Sequence, residues 1–148
     1  MQNSIINKLL NFPEYKVVFS EINDEEINVH LEPYKKKVSI CSFCKKIHPN
    51  QSVHSTRVSR VRDLDITGRK VFLHVLKRKY RCPEDGRIHI ELIPWLKLYS
   101  RLTKRHAEHV SRLAAITTNT EAGWFLGLDD ETVYRVDKAH LEEQAKKN

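Results

Sequence analysis

No run of apolar residues in this sequence approaches the roughly 18 residues that a membrane-spanning helix requires. The N-terminal segment MQNSIINKLLNF also lacks the charged start, the long apolar stretch and the cleavage site of a secretory signal. Internal repeats and low-complexity segments are absent, whereas the 40% of hydrophobic residues are enough for a core. The 148 residues therefore predict an intracellular, folded protein of one ordinary domain or two small ones that does not enter a membrane.

Cysteine is scarce and odd in number, which argues against a disulfide framework. Cys41 and Cys44 form a CxxC pair, and thiols stay reduced inside the cell. Two thiolates at this spacing lie on one turn and can bind the same ion, and a structural zinc ion takes four such ligands. Cys82 is the natural third ligand, because Pro83 and Gly86 beside it resemble a second knuckle turn. The cofactor predicted by these residues is Zn²⁺.

The sequence leaves the fourth zinc ligand open. His89 has the more suitable ligand chemistry, and Asp85 has the spacing of a knuckle residue. His48 and His54 follow the first knuckle and are further candidates. Ligand preference ranks His89 first, Asp85 second, and His48 or His54 third.

Acidic residues are rare in the middle of the chain. Residues 35–112 hold 20 Lys and Arg against six Asp and Glu, whereas both flanking segments are net acidic. Such segregation is typical of a protein that binds a polyanion, although a basic strand edge can also serve only to deter aggregation. The candidates for contact with DNA phosphates in this segment are Arg57, Arg60, Arg62, Arg69, Lys70, Lys77, Arg78, Lys79, Arg81, Lys104 and Arg105.

Hydrophobic periodicity predicts an α+β fold in three segments. Residues 1–34 read as a short helix and a β-hairpin, and residues 35–94 read as a zinc-ribbon-like basic β module. Within that module residues 70–80 are a clear strand. In residues 58–65 the apolar residues recur at every third position, so a strand there is ambiguous. Residues 95–148 switch to helical spacing and are predicted to form a helix-turn-helix.

The helix-turn-helix prediction rests on a short helix, a turn at Gly127 and a longer final helix. Trp124 and Phe125 are expected in the core of the short helix. Three acidic residues open the final helix and would repel phosphate. The residues left as candidates for DNA contact on that helix are Thr132, Tyr134, Arg135 and Lys138.

Five segments, taken together and in order, resemble the N-terminal region of bacterial insertion-sequence transposases of the ISL-three family. They are CSFC at 41–44, HSTR at 54–57, VRDLDITGRKVFLHV at 61–75, KRKYRCPEDGR at 77–87 and AGWFLGLDDETVYRV at 122–136. The resemblance implies a zinc-ribbon-like module and a helix-turn-helix that bind the terminal inverted repeats of the element. It also implies a following catalytic domain with an acidic triad and divalent metal. Asp85 stands where the family has a fourth cysteine, so a site of four thiolates is not expected here.

The function expected from these features is sequence-specific binding of double-stranded DNA in the bacterial cytoplasm, at the nucleoid. The chain is not expected to be an enzyme, because the resemblance places Asp63 and Asp65 in the binding module and leaves no acidic triad. Further partners would be a second copy or a separate transposase catalytic chain. The alternative functions are a protein-interaction or regulatory module, and the DNA-binding subunit of a transposase whose catalytic chain is separate.

Overall fold

The computed structural model describes residues 1–48 and 52–147 and confirms the α+β class. Two compact units, Met1–Arg101 and Leu102–Asn148, divide the chain. Among the described residues, no helix combines the length and the apolarity needed to cross a membrane. The elements are α1 (Gln2–Leu10), β1 (Tyr15–Ile22), β2 (Glu26–Pro33), β3 (Ser55–Ile66), β4 (Arg69–Arg81), β5 (Ile88–Ile90), α2 (Lys104–Ala114), α3 (Asn119–Leu126) and α4 (Asp130–Lys147).

A mixed five-stranded sheet forms the centre of the first unit, with the order β1-β2-β4-β3 and with β5 paired to β4. The hairpins β1–β2 and β3–β4 are antiparallel, whereas β2 and β4 pair in parallel. The parallel pairing places the segments 1–34 and 35–94, which the sequence predicts as separate, in one unit with one sheet. Thr67 and Gly68 connect β3 to β4 with positive φ values of 50° and 77°, as a tight two-residue hairpin turn requires.

The core of the first unit lies on the face of the sheet that α1 covers. Ile6 and Leu10 of α1 belong to one buried cluster with alternate residues of the central strands, among them Val29 and Leu73. Alternation places these side chains on a single face because successive side chains of a strand point to opposite faces. Trp95 packs on the edge of the cluster, and its ring stacks on Phe12 at 4.1 Å between centroids.

The second unit is a three-helix cluster around Val110, Ala122 and Val133, which are fully buried. α3 ends at Gly127 in the left-handed conformation, with φ 66°. A side chain at Gly123 would place its Cβ 2.4 Å from the carbonyl oxygen of Leu128, so the tight α3–α4 connection requires glycine there. The helix order and this connection fit the expected helix-turn-helix, which stays a prediction.

One core prediction in this unit is wrong. Trp124 is 81% exposed and Phe125 is 71% exposed, and their rings contact each other edge-on at 5.6 Å. The short helix α3 instead buries the narrow face formed by Ala122, Gly123 and Leu126. The two large rings stand outside that face.

Candidate functional site: a metal centre beside a basic hairpin

The two knuckles are built alike. The backbone N–H of Lys45 donates to the Cys41 carbonyl at 3.0 Å, and that of Gly86 donates to the Cys82 carbonyl at 2.8 Å. Lys45 and Gly86 each have a positive φ, 61° and 70°. Each turn therefore holds its first cysteine in a similar local conformation, although the second knuckle has Asp85 where the first has Cys44.

Strand pairing brings the two knuckles together. β4 leads directly into Cys82, and β5 returns along it from the second knuckle. Cys41 forms a β-bridge with Glu91, the residue after β5, and the backbone N–H of Ser42 donates to the Ile90 carbonyl at 3.3 Å. The long segment between the knuckles is thus closed by the sheet itself.

Four metal-binding side chains converge at this junction. The thiol sulfurs of Cys41, Cys44 and Cys82 and one ring nitrogen of His48 all lie within 4.8 Å of one another. His48 Nε2 is 2.9 Å from the Cys44 sulfur, a direct hydrogen bond, and 3.8 Å from the Cys82 sulfur. Neighbouring ligands on a zinc tetrahedron are about 3.5–3.8 Å apart for Zn–S of about 2.3 Å and Zn–N of about 2.0 Å.

The chemistry of this donor set fits a structural zinc ion. Three thiolates and one imidazole complete a tetrahedron and leave no open position for a substrate. Burial raises the pKa of Cys82, and the thiols of Cys44 and Cys41 raise it further. Burial would also raise the pKa of Cys41, but the backbone N–H groups of Cys44 and Phe43 bond to its sulfur and lower it. Three sulfurs this close carry negative charge together only with a cation between them.

The structure places the candidates for the fourth ligand in different surroundings. His48, ranked below His89 and Asp85, is the histidine that lies among the three thiols. His89 Nε2 is bonded to Asp85 Oδ2 at 2.7 Å, and its ring stacks on Phe43 at 4.8 Å. Asp85 also accepts a hydrogen bond from the backbone N–H of Arg87 at 2.9 Å, so its carboxylate stabilises the second knuckle turn. His54, the remaining candidate, bonds the Ser55 hydroxyl at 3.2 Å.

A buried network of charged side chains lies next to the metal-binding residues, because Glu91 forms the β-bridge with Cys41. Glu91 is fully buried and accepts two parallel hydrogen bonds from the guanidinium of Arg78, at 2.9 and 2.8 Å. Lys37 approaches the same carboxylate at 3.3 Å and is equally buried. Burial would raise the pKa of Glu91, but Arg78 and Lys37 outweigh it and hold that pKa below its usual range. Glu91 also lines a cavity of about 20 Å³ together with Cys82, His48 and His89.

The predicted phosphate-contacting residues of the β3–β4 hairpin divide by exposure. Arg57, Arg60, Lys70 and Arg81 are exposed. Lys79 and Arg69 are half-buried, and Arg69 donates to the Asn23 carbonyl at 2.8 Å near the hairpin turn. The hairpin thus presents exposed cations along its length.

Three of the residues predicted to contact phosphate are buried or paired within the first unit. Lys77 continues the core face of β4, and burial lowers its pKa. Arg62 is buried and pairs with Asp65 at 3.1 Å. Arg78 is bound by both oxygens of Glu91. Sequence periodicity alone does not separate these side chains from their exposed neighbours.

The candidates in the second unit lie in the first turn of α2 and in the first half of α4. Lys104 is exposed and Arg105 is half-buried at the first turn of α2. Along α4 the exposed candidates are Tyr134, Arg135 and Lys138, whereas Thr132 is half-buried and its backbone N–H donates to Asp129 at 2.6 Å. That bond caps the helix. Hydrogen bonding with the Thr132 side chain and with its backbone N–H, together with Arg135, lowers the pKa of Asp129.

Sequence reasoning missed two exposed cations beside the metal-binding residues. Lys45 follows the first knuckle and Arg87 follows the second. Both lie outside the strand that dominates the basic segment. Their position directly after a knuckle turn is the signal that would have indicated them.

Comparison with known proteins agrees with this geometry. Residues 37–85 match the family described as zinc-finger of transposase IS204/IS1001/IS1096/IS1165. The chain is 34% identical to the transposase for insertion sequence element IS1001 of Bordetella parapertussis. The match extends over 126 residues, which are 85% of this chain. The match spans about 30% of that transposase, and no solved structure matches this chain. The resemblance to insertion-sequence transposases of the ISL-three type is thereby confirmed, with its zinc-finger part at residues 37–85.

Proposed function

We propose that this chain is a zinc-stabilised, non-catalytic DNA-binding part of an insertion-sequence transposase, and that it holds the terminal inverted repeats of the element. The observation that supports this proposal most directly is the placement of exposed cations around a closed metal centre. Lys45, Arg57, Arg81 and Arg87 all lie at the knuckle end of the β3–β4 hairpin. A double-stranded DNA backbone is the polyanion that suits this distribution.

The role assigned to zinc is structural. Cys41, Cys44, His48 and Cys82 would hold it, and the bound ion would supply folding free energy and no reaction chemistry. The ion would fix the knuckles against the end of β4, because Cys82 is the residue after that strand. The exposed cations near the knuckles would then face DNA in a fixed arrangement.

The hairpin is long enough to follow DNA for about one helical turn. β4 has 13 residues, which at about 3.3 Å per residue span about 40 Å. Lys70 lies at the turn end, Arg60 near the middle and Arg81 at the knuckle end. Successive phosphate contacts along this length would supply most of the affinity and make it dependent on salt.

Base recognition is assigned to α4 in the second unit. The exposed Tyr134, Arg135 and Lys138 follow the acidic first turn of α4, where Asp130 and Glu131 would repel phosphate. We place the reading of base edges on these three residues and not on the first turn. Double-stranded DNA would therefore be held by two separate surfaces, one on each unit.

A second candidate function is docking of a protein partner. Trp124 and Phe125 form an exposed aromatic pair on α3, and Glu121 on the same helix adds acidic character. Exposed aromatic groups of this kind are enriched at protein interfaces. The partner on this surface would be a second copy or a transposase catalytic chain.

A gel-shift series across salt concentrations tests DNA binding. The expected result is binding that weakens steeply with salt and prefers the terminal repeat over a scrambled duplex of the same length. Arg57→Ala with Arg81→Ala should reduce the slope of log affinity against log salt by about 0.9 for each phosphate that the variant no longer neutralises. Absence of binding at low salt would refute the proposal, and equal affinity for both duplexes would refute the assignment to the repeats.

Zinc analysis of purified variants tests the metal centre separately. His48→Ala should lose bound zinc, whereas His89→Ala is the matched control and should retain it. Retention of zinc by His48→Ala together with its loss from His89→Ala would overturn the assignment of the fourth ligand.

A further inference from the structure

A row of four planar side chains crosses the sheet on the face opposite α1. The register pairs Phe19 of β1 with His30 of β2, His30 with His74 of β4, and His74 with Arg60 of β3. One side chain from each of β1, β2, β4 and β3 therefore lies beside the next. Phe19 is 50% exposed, Arg60 is exposed, and the two histidines are half-buried.

The two imidazoles of this row are stacked on each other. Their planes differ by 10° and their centroids are 4.4 Å apart, close to the roughly 4.8 Å between neighbouring strands. The rings are thus stacked across the strands, and Phe19 closes the row with its ring centroid 5.4 Å from that of His30. The Nε2–H of His74 donates to Asn28 Oδ1 at 2.9 Å, which fixes the orientation of that ring.

Arg60 is held in place by an aromatic ring. Its guanidinium lies 3.8 Å above the ring centroid of Phe72, which is two positions along the β3–β4 register and on the same face. A guanidinium stacked in this way keeps its N–H groups free to donate in its own plane. The row therefore combines a pre-positioned permanent cation with two imidazoles that gain a donor when they are protonated.

We propose that Arg60, His74 and His30 form a contact site for the DNA phosphate backbone, and that the imidazoles take up protons as DNA binds. The chain would accordingly hold DNA more tightly as the pH falls. This inference rests on the proposed function, because the phosphate it invokes belongs to bound DNA.

The charges around His74 give the direction of the effect. In the free protein the pKa of His74 is lowered, first by burial, then by the neighbouring His30 and Arg60, while Glu26 opposes them. Glu21 and Glu32 lie near His30 in the register of β1 and β2, as does Lys16. A phosphate beside the row adds negative charge and favours the protonated imidazoles.

A phosphate next to His74 raises its pKa above the lowered pKa of the free protein. DNA binding is therefore accompanied by proton uptake. The gain in affinity appears as the pH falls through the pKa of the complex and is complete below the pKa of the free protein. Each proton taken up changes the affinity by at most about tenfold per pH unit.

The test is fluorescence anisotropy of a labelled duplex with the zinc-loaded protein at constant ionic strength, from about pH 8 to about pH 6. The wild type should gain about three- to tenfold in affinity over this range. His30→Gln with His74→Gln should remove the gain, because neither side chain can then take up a proton. His74→Asn, which retains an amide near Asn28, provides a second variant with less risk to the fold.

His140→Gln on α4 is the control, and it should retain the full gain. Arg60→Met should lose affinity at both ends of the pH range. A wild-type affinity that does not change with pH, or a gain that persists in both histidine variants, would overturn the inference while leaving DNA binding intact.

Inorganic phosphate added at constant ionic strength should leave the gain in DNA affinity unchanged. Loss of the gain under that condition would mean that the site takes free phosphate, which also overturns the inference. Absence of DNA binding at every pH would instead refute the proposed function together with this site.

Discussion

Replacing Glu91 by alanine should unfold the first unit more easily than any exposed substitution near it. The buried carboxylate is the shared partner of Lys37 and Arg78, whose side chains are 2% and 12% exposed. Removing it leaves two buried cations without their counter-charge. Breaking a buried ion pair from one side typically costs about 3–5 kcal/mol. Because Arg78 reaches solvent at one edge, we expect a loss near the lower end, about 3 kcal/mol.

Urea unfolding followed by tryptophan fluorescence measures this loss. Trp95 is partly buried in the first unit and stacked on Phe12, whereas Trp124 is exposed in the second unit. In a Trp124→Phe background, fluorescence therefore reports the first unit. A loss of about 3 kcal/mol with a slope of about 2 kcal/mol per molar urea would lower the midpoint by about 1.5 M.

Glu84→Ala is the matched control, because Glu84 pairs with Lys46 on the surface, where both side chains are about half exposed or more. It should unfold with the wild type. If Glu91→Ala loses no more stability than Glu84→Ala, the buried charges do not contribute the expected free energy.

The pH dependence of unfolding gives a second check on Glu91. Because the pKa of Glu91 is lowered in the folded protein, its contribution is present above its ordinary pKa of about 4.3 and disappears as the pH falls through the lowered value. The stability gap between wild type and Glu91→Ala should therefore narrow in acid.

Three further predictions concern the helical unit, the basic hairpin and the metal centre. Gly123→Ala should destabilise the second unit by roughly 1–3 kcal/mol, since the new Cβ meets the Leu128 carbonyl oxygen, and a thermal melt monitored at 222 nm that matches wild type would contradict this. Lys77→Met should retain DNA affinity in a gel shift because the Lys77 ammonium is buried, whereas Arg57→Met should weaken binding. An equal loss of affinity in both variants would show that side-chain exposure does not determine which cations contact DNA. Cys82→Ser should lose stoichiometric zinc by atomic absorption, and full retention would exclude Cys82 as a ligand.

The elements with strong local patterns can be predicted from the sequence. β1, β2 and β4 are recognisable because alternating or β-branched residues continue over most of their length. β3 is ambiguous in the sequence because its apolar residues recur every third position. The structure makes it a 12-residue strand, since pairing with β4 overrides the weak local pattern.

The parallel pairing of β2 with β4 could not be predicted, because nothing local in either strand specifies a partner 44 residues away. The structure groups His48, and not the first-ranked His89, with the three thiols, and the sequence could not indicate this for a related reason. His89 has suitable chemistry, but the turn that holds Asp85 brings these two side chains to each other. His48 reaches the thiols because the chain after Cys44 folds back, as the Ile40–Ile47 bridge shows.

The parallel pairing also has a consequence for how the chain folds. Each contact between β2 and β4 joins residues 44 positions apart, so the entropy of closing that loop is lost before the contacts form. A metal ion bound by both Cys44 and Cys82 would cross-link nearly the same span. It would thereby reduce the number of conformations that the chain samples before β2 and β4 pair. Without the ion, the N-terminal hairpin and the β3–β4 hairpin would form early as separate pieces, each with an open strand edge. Zinc would thus act during synthesis as protection against aggregation through those edges.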